Sequence, residues 1–184
     1  MEKKSRWLGI AAIAAVVVCV GMCAATGLAL RYGVDIYAFF QRQRLPGTGS
    51  SAPDFALSSL DGRSVILSQF KGQPVVLTFS ASWCPPCREE APFQQALHRQ
   101  HPELVILLVD SNEQDRVVQR FADEFGMTFP VLLDRSGSVY RQYGIFGIPT
   151  SFFIDPGGII RHVLVGALTV EVAAEALPLI GVEP

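Results

Sequence analysis

Cys84 and Cys87 stand three residues apart, after an apolar β-rich run and at the head of a polar, helix-forming stretch. The run Val75-Val76-Leu77-Thr78-Phe79-Ser80 is short, almost continuously apolar and rich in β-branched residues, so it reads as a buried central strand. Trp83-Cys84-Pro85-Pro86-Cys87 follows, and a helix is predicted from there to about His101. A cysteine at the first turn of a helix faces unpaired backbone N–H groups and the positive end of the dipole. Both favour the thiolate, which is the reactive form. A second cysteine one turn on is within reach of a disulfide. The two prolines forfeit no helical hydrogen bond, because first-turn N–H groups lack intrahelical acceptors, and they stiffen the loop.

A structural zinc site would need two more Cys or His ligands at suitable spacing. After the N-terminal segment the chain offers only His98, His101 and His162, and no second cysteine pair. A lone Cys-x-x-Cys between a buried strand and a helix points instead to redox chemistry. The histidines are expected at the surface. With four cysteines in 184 residues, the chain is no disulfide-rich scaffold. Its net charge of −2 gives no reason to expect a nucleic-acid partner.

The remaining cysteines, Cys19 and Cys23, lie in the uncharged run Trp7–Leu30. As a helix this run would span roughly 36 Å, enough to cross a hydrocarbon core of about 30 Å. Lys3, Lys4 and Arg6 precede it and favour a cytoplasmic N-terminus, although Arg31, Arg42 and Arg44 are positive on the far side. The run is longer than a signal-peptide core, and Ala25-Thr26-Gly27 is a poor cleavage site, so an uncleaved anchor is the preferred reading. The predicted organisation is a cytoplasmic end at 1–6, an anchor at 7–30, a juxtamembrane segment and linker at 31–51, and one domain at 52–184.

Within that domain, strand and helix signals alternate. Asp61-Gly62 reads as a hairpin turn, and Leu104–Val109 as a second buried strand. Ser111, with Gln114 as its capping-box partner, is expected to start a helix with Val117, Val118, Phe121, Ala122 and Phe125 on its buried face. Gly126 should end that helix. Val131–Leu133 and Thr150–Ile154 read as strands, Asp155-Pro156-Gly157-Gly158 as a turn, and Ile159–Val165 as the returning strand. Thr169 should cap a last helix to about Ile180. The pattern predicts an α/β fold, a mixed central sheet flanked by helices on both faces, preceded by one transmembrane helix.

The residues around the cysteines resemble the active site of thioredoxin-fold proteins. Ala52-Pro53-Asp54-Phe55, Pro92 in the active-site helix, and Gly147-Ile148-Pro149-Thr150 extend the likeness to the TlpA/ResA-like branch, membrane-anchored thiol–disulfide oxidoreductases of the AhpC/TSA-redoxin superfamily. The segment Val109–Asp134 resembles that branch's additional helix and strand, and the likeness covers about residues 52–181. It implies a thioredoxin-like fold and a cis bond at Ile148–Pro149 facing the disulfide. It also implies substrate contacts at Trp83, Pro85, Pro86, Ile148 and Pro149, with the Ile148 backbone pairing to an extended segment.

Two departures stand out. Thr78 occupies the place of the buried aspartate of general thioredoxins, and Pro85-Pro86 replaces a glutamate that some cytochrome-directed members carry between the cysteines. Glu113 matches a glutamate near the pair in this branch. It is either a proton-transfer group for Cys87 or a solvated helix-start carboxylate. Glu89 and Glu90 read as ordinary first-turn carboxylates.

The resemblance implies an extracytoplasmic reductant with protein thiol or disulfide substrates. A membrane-embedded thiol donor would supply its electrons, and cytochrome c maturation is one setting. Cys84 attacks and Cys87 resolves; Cys84, at the helix start, is expected to be the more acidic and more exposed thiol, with Cys87 one turn in. No cofactor or metal is expected beyond the redox-active Cys84–Cys87 pair. A peroxiredoxin-like peroxidase and a copper metallochaperone are the alternatives. The first lacks the proline expected ahead of Cys84, and the second has only His162 as a distal ligand.

Overall fold

Every residue of β3 (Val75–Ser80) is buried, which is what an apolar strand at the centre of a sheet requires. The computed structural model describes residues 45–110 and 112–183. The predicted anchor, the segments on either side of it up to residue 44, and the Ser111 cap lie outside the described residues. β4 (Val105–Asp110) and β5 (Val131–Leu133) run parallel to β3 on one side. β6 (Thr150–Ile154) and β7 (Ile160–Val165) continue antiparallel on the other. The hairpin β1 (Ala56–Ser59) and β2 (Ser64–Ile66) closes the far edge, giving a seven-stranded mixed sheet in the order β2-β1-β5-β4-β3-β6-β7.

Side chains alternate across this sheet, so each strand feeds two cores. Val76, Ile106, Leu108 and Phe153 pack with Ala91 and Leu97 of α1 (Pro85–Gln100), Phe121 of α2 (Asp115–Glu124) and Ala173 of α4 (Val170–Ala176). Leu77, Phe79, Leu107 and Phe152 pack on the opposite face with Val139 and Tyr143, in and just after α3 (Ser138–Gln142). Helices therefore lie on both faces.

The differences from expectation are local. Gln114 is itself the N-cap residue of α2, with no side-chain cap bond, rather than the third residue of a capping box. At the other end Gly126 takes a left-handed φ of 58°, and Met127 N–H closes back on the Ala122 carbonyl at 2.9 Å. Thr169 caps α4 as expected, but the helix stops at Ala176 and gives way to a 3-10 turn, Pro178–Ile180. Pro178 has no N–H to continue the α-helical ladder. α3 was not foreseen; at five residues it is too short to show periodicity, and the Asp134 carboxylate starts it by accepting the Ser138, Val139 and Tyr140 N–H groups at 2.9 Å each. Ahead of residue 52, backbone pairing has already begun: Gly49 N–H donates to the Ile160 carbonyl at 2.7 Å, and Ile160 N–H to that of Ser50 at 2.9 Å.

Candidate active site

Cys84 is the N-cap residue of α1, with extended backbone angles, and Pro85 and Pro86 fill the first two helical positions. Its Sγ accepts the Cys87 N–H at 3.3 Å, so the sulfur meets the donor-rich end of the helix as the sequence implied. The two cysteines are joined as a disulfide, with Cα atoms 5.2 Å apart. The expected contrast in exposure is absent: Cys84 is 2% exposed and Cys87 1%. Ala81 and Ile148 pack around both sulfurs and cover Cys84 as fully as its partner.

The loop from Gly144 to Pro149 brings Ile148 to this cluster, its carbonyl oxygen 3.7 Å from Cys84 Sγ. The Ile148–Pro149 peptide is cis, as the resemblance implied. Thr150 Oγ1 donates to the Gly147 carbonyl at 2.7 Å, and Gly166 N–H to that of Pro149 at 2.8 Å, so the loop is tied to β6 and to the end of β7. Pro85 is exposed and Pro86 half-buried. Trp83 stands out into solvent at 66% exposure; it borders the cysteines without covering them.

Glu113 meets the cysteine loop through Ser82. Its two carboxylate oxygens accept the Ser82 N–H and Oγ–H, each at 2.6 Å, while its own N–H donates to Asp110 at 2.8 Å. It is half-buried and precedes α2, so it is not a solvated carboxylate at that helix's start. Arg88 holds Ser82 from the other side, donating to its carbonyl at 3.2 Å. The Arg88 guanidinium lies over the rings of Phe121 and Phe125, at 5.8 and 5.2 Å, and is ion-paired with Glu124. The residue two places before Cys84 is thus gripped at its N–H, hydroxyl and carbonyl.

Behind the disulfide runs a buried polar chain. Thr78 Oγ1 lies 2.8 Å from Ser151 Oγ and accepts from Gln94 Nε2 at 3.3 Å. The same Nε2 donates to Glu90 at 2.9 Å, and the other Glu90 oxygen accepts the Leu168 N–H at 2.6 Å. Glu90 is 2% exposed, and burial pushes its carboxyl up to about 7 against the pull of those two hydrogen bonds. Glu89 is exposed as read from the sequence; Glu90 is not a surface carboxylate. Its position was available in the spacing: Glu90 follows Cys87 by three residues and precedes Gln94 by four, on the stripe that buries Cys87, Ala91 and Leu97. Of the histidines, His98 packs edge-on against Phe129, His101 pairs with Glu103, and His162 lies against Phe153 on the final hairpin.

Residues 48–163 match the AhpC/TSA family. Thiol-disulfide oxidoreductase ResA of Geobacillus thermodenitrificans is 39% identical over 142 residues, covering 76% of this chain and 82% of that protein. ResA of Halalkalibacterium halodurans is 32% identical over 184 residues, 98% of each chain. Among solved structures, a thiol:disulfide interchange protein of the thioredoxin family from Chlorobium tepidum superposes with a TM-score of 0.66 at 27% identity, covering 73% of this chain and 98% of that one.

Proposed function

This chain belongs to the AhpC/TSA family and is a ResA-like thiol–disulfide oxidoreductase of thioredoxin-like fold, and on that premise we propose that it reduces protein disulfides outside the cytoplasm. Reduced Cys84 attacks one sulfur of a substrate disulfide; the Cys84–substrate bond forms as the substrate's own S–S bond breaks, and the displaced thiolate takes a proton. Cys87 then attacks Cys84 Sγ, releasing the second substrate thiol and forming the Cys84–Cys87 disulfide. Two electrons pass to the substrate, and a membrane-embedded thiol donor restores the pair. No other redox group is needed.

The observation that carries the reading is the setting of Cys84: sulfur on the helix N-terminus, the Cys87 N–H at 3.3 Å, and the Ile148 carbonyl 3.7 Å away. The Cys87 N–H and the helix N-terminus stabilise the thiolate both as attacking and as leaving group, while the Ile148 carbonyl marks where substrate backbone meets the sulfur. Ile148 and Pro149 offer backbone to an extended substrate segment, with Trp83, Pro85 and Pro86 bordering it. Glu113 acts here through Ser82, holding the loop that presents Cys84. The uncharged Trp7–Leu30 run, with Lys3, Lys4 and Arg6 before it, supports a single-pass anchor with the domain on the extracytoplasmic side. Cytochrome c precursors are the narrower substrate class the resemblance suggests.

The test uses the full-length Cys87→Ser variant in membranes. It should accumulate mixed disulfides through Cys84, and a membrane-impermeant thiol reagent should label Cys84 without lysis of the inner membrane. Adducts on Cys84→Ser but none on Cys87→Ser would reverse the assigned roles, and labelling only after lysis would reverse the orientation. Apocytochrome c among the trapped partners would support the narrower class.

A further inference from the structure

Large apolar side chains left in water are unevenly placed on this molecule. Among the described residues, Ile66, Trp83, Phe146, Val165, Val170 and Leu179 are the exposed ones, and three of the six surround the disulfide. Trp83 adjoins Cys84 in the chain. Phe146, the most exposed at 76%, stands two residues before Ile148, whose carbonyl faces Cys84 Sγ at 3.7 Å. Two residues span at most about 7 Å of backbone, so Phe146 is tethered close to the sulfur. Val165 ends β7 opposite Thr150, and its Cγ1 lies 4.0 Å from where a Cβ on Gly147 would be. Three separate stretches of chain thus bring apolar groups to one rim.

Charge points the same way. The stretches that meet here, 81–87, 144–149 and 163–167, contain no Asp, Glu, Lys or Arg. A charged side chain resting on Phe146 or Val165 would lose water against an apolar surface, whereas an apolar one would remove two hydrophobic surfaces from water at once. Among the described residues the Phe146 ring takes part in no ring–ring pair, and the loop behind it is held by the Thr150 and Gly166 hydrogen bonds. The ring is presented on a firm support with its face free.

We infer that Phe146, with Trp83 and Val165, forms a side-chain subsite that selects substrates carrying an apolar residue next to the disulfide cysteine. The occupant is an extended polypeptide segment, laid along Ile148 so that the residue flanking its cysteine rests on Phe146. This rests on the disulfide-exchange reading and adds to it a rule for which protein disulfides are taken.

The experiment measures reduction of matched disulfide-linked peptides by the full-length chain in detergent. The residue beside the peptide cysteine is Leu, Phe, Gly, Glu or Lys. Wild type should favour Leu and Phe over Glu and Lys by about tenfold, the size expected for partial burial of one aromatic contact. Phe146→Ser should collapse that ratio to about twofold, and Phe146→Leu should keep most of it. Ile66→Ser, on edge strand β2 four strands from β3 in the sheet, serves as the control and should keep the wild-type ratio. The same ratio in wild type and Phe146→Ser, or no preference in wild type, overturns the subsite while leaving disulfide exchange intact. Failure of wild type to reduce any of the peptides overturns the exchange reading and the subsite with it.

Discussion

Asp134 and Glu90 are carboxylates equally shut off from water, at 0% and 2% exposure, and they differ in what surrounds them. Asp134 sits at the start of α3, where three backbone N–H groups converge on it at 2.9 Å and the Ser136 and Ser138 hydroxyls add longer contacts. Glu90 lies within α1 and receives one backbone N–H, from Leu168, and one side-chain amide, from Gln94. Converging donors replace lost hydration, and two donors replace less of it than a helix terminus does. Asp134 builds local structure, while at Glu90 burial outweighs the two bonds and pushes the carboxyl up to about 7.

The comparison can be broken first on the Asp134 side. Asp134→Ala removes the acceptor of three N–H groups and should cost about 3 kcal/mol in urea unfolding. A loss under about 1 kcal/mol would mean that α3 does not depend on this cap.

Glu90 gives the next largest effect, and a pH-dependent one. Its carboxyl titrates near 7 in the fold against an ordinary 4.5, so the folded state holds the proton more tightly than the unfolded chain. The stabilisation is complete below pH 4.5 and is lost as pH rises through 7. Glu90→Gln, which stays neutral, should match wild type near pH 4 and exceed it at pH 8 by about 2–3 kcal/mol. Its amide can also donate to Gln94 Oε1, a buried atom with no hydrogen-bond partner among the described residues. Parallel pH–stability curves for the two proteins would contradict the raised value.

Glu113 lies between these cases, half-buried and accepting two short bonds from Ser82. Glu113→Gln leaves one oxygen for two donors and should cost about 1–2 kcal/mol. Combined with Ser82→Ala, the losses should be non-additive by about 1 kcal/mol, and simple additivity would show that the Ser82 contacts carry nothing. The smallest effect is expected for Arg88→Lys. It keeps the charge but loses the planar stack on Phe121 and Phe125, for about 0.5–1 kcal/mol by thermal unfolding.

How far the sequence reveals this molecule depends on the range of the interactions. β3, the cysteine loop and α1 were legible because one short stretch carries strand, cap and helix signals in order. The Pro149 loop was legible only through family resemblance, since Gly-x-Pro before a strand does not by itself say that the loop faces Cys84. α3 stayed hidden because its start is set by Asp134, which reads as a turn residue in isolation. Glu90 was misplaced for a related reason. A first-turn carboxylate is normally solvated, and the chain that meets this one, at Leu168, arrives from 78 positions away. The Phe146 rim has no local pattern at all, because three distant stretches contribute to it.

The pairing of residues 49–51 with the foot of β7 has a mechanical consequence. Gly49 and Ser50 join Ile160, and Ser51 bridges Ile159, beside the end of β6 where Ile154 pairs with Val75. The disulfide follows the opposite end of β3, about 17–20 Å away along the strand. A pull on the chain at Leu45 would draw first on the packing of Leu45 against the core and then on the Gly49 and Ser50 backbone bonds, peeling the sheet from its foot. The Gly166–Pro149 clasp would be strained only after that seam had opened. The reactive end is therefore insulated from traction on the incoming chain, and a partner drawing on Cys84 works against the body of the sheet.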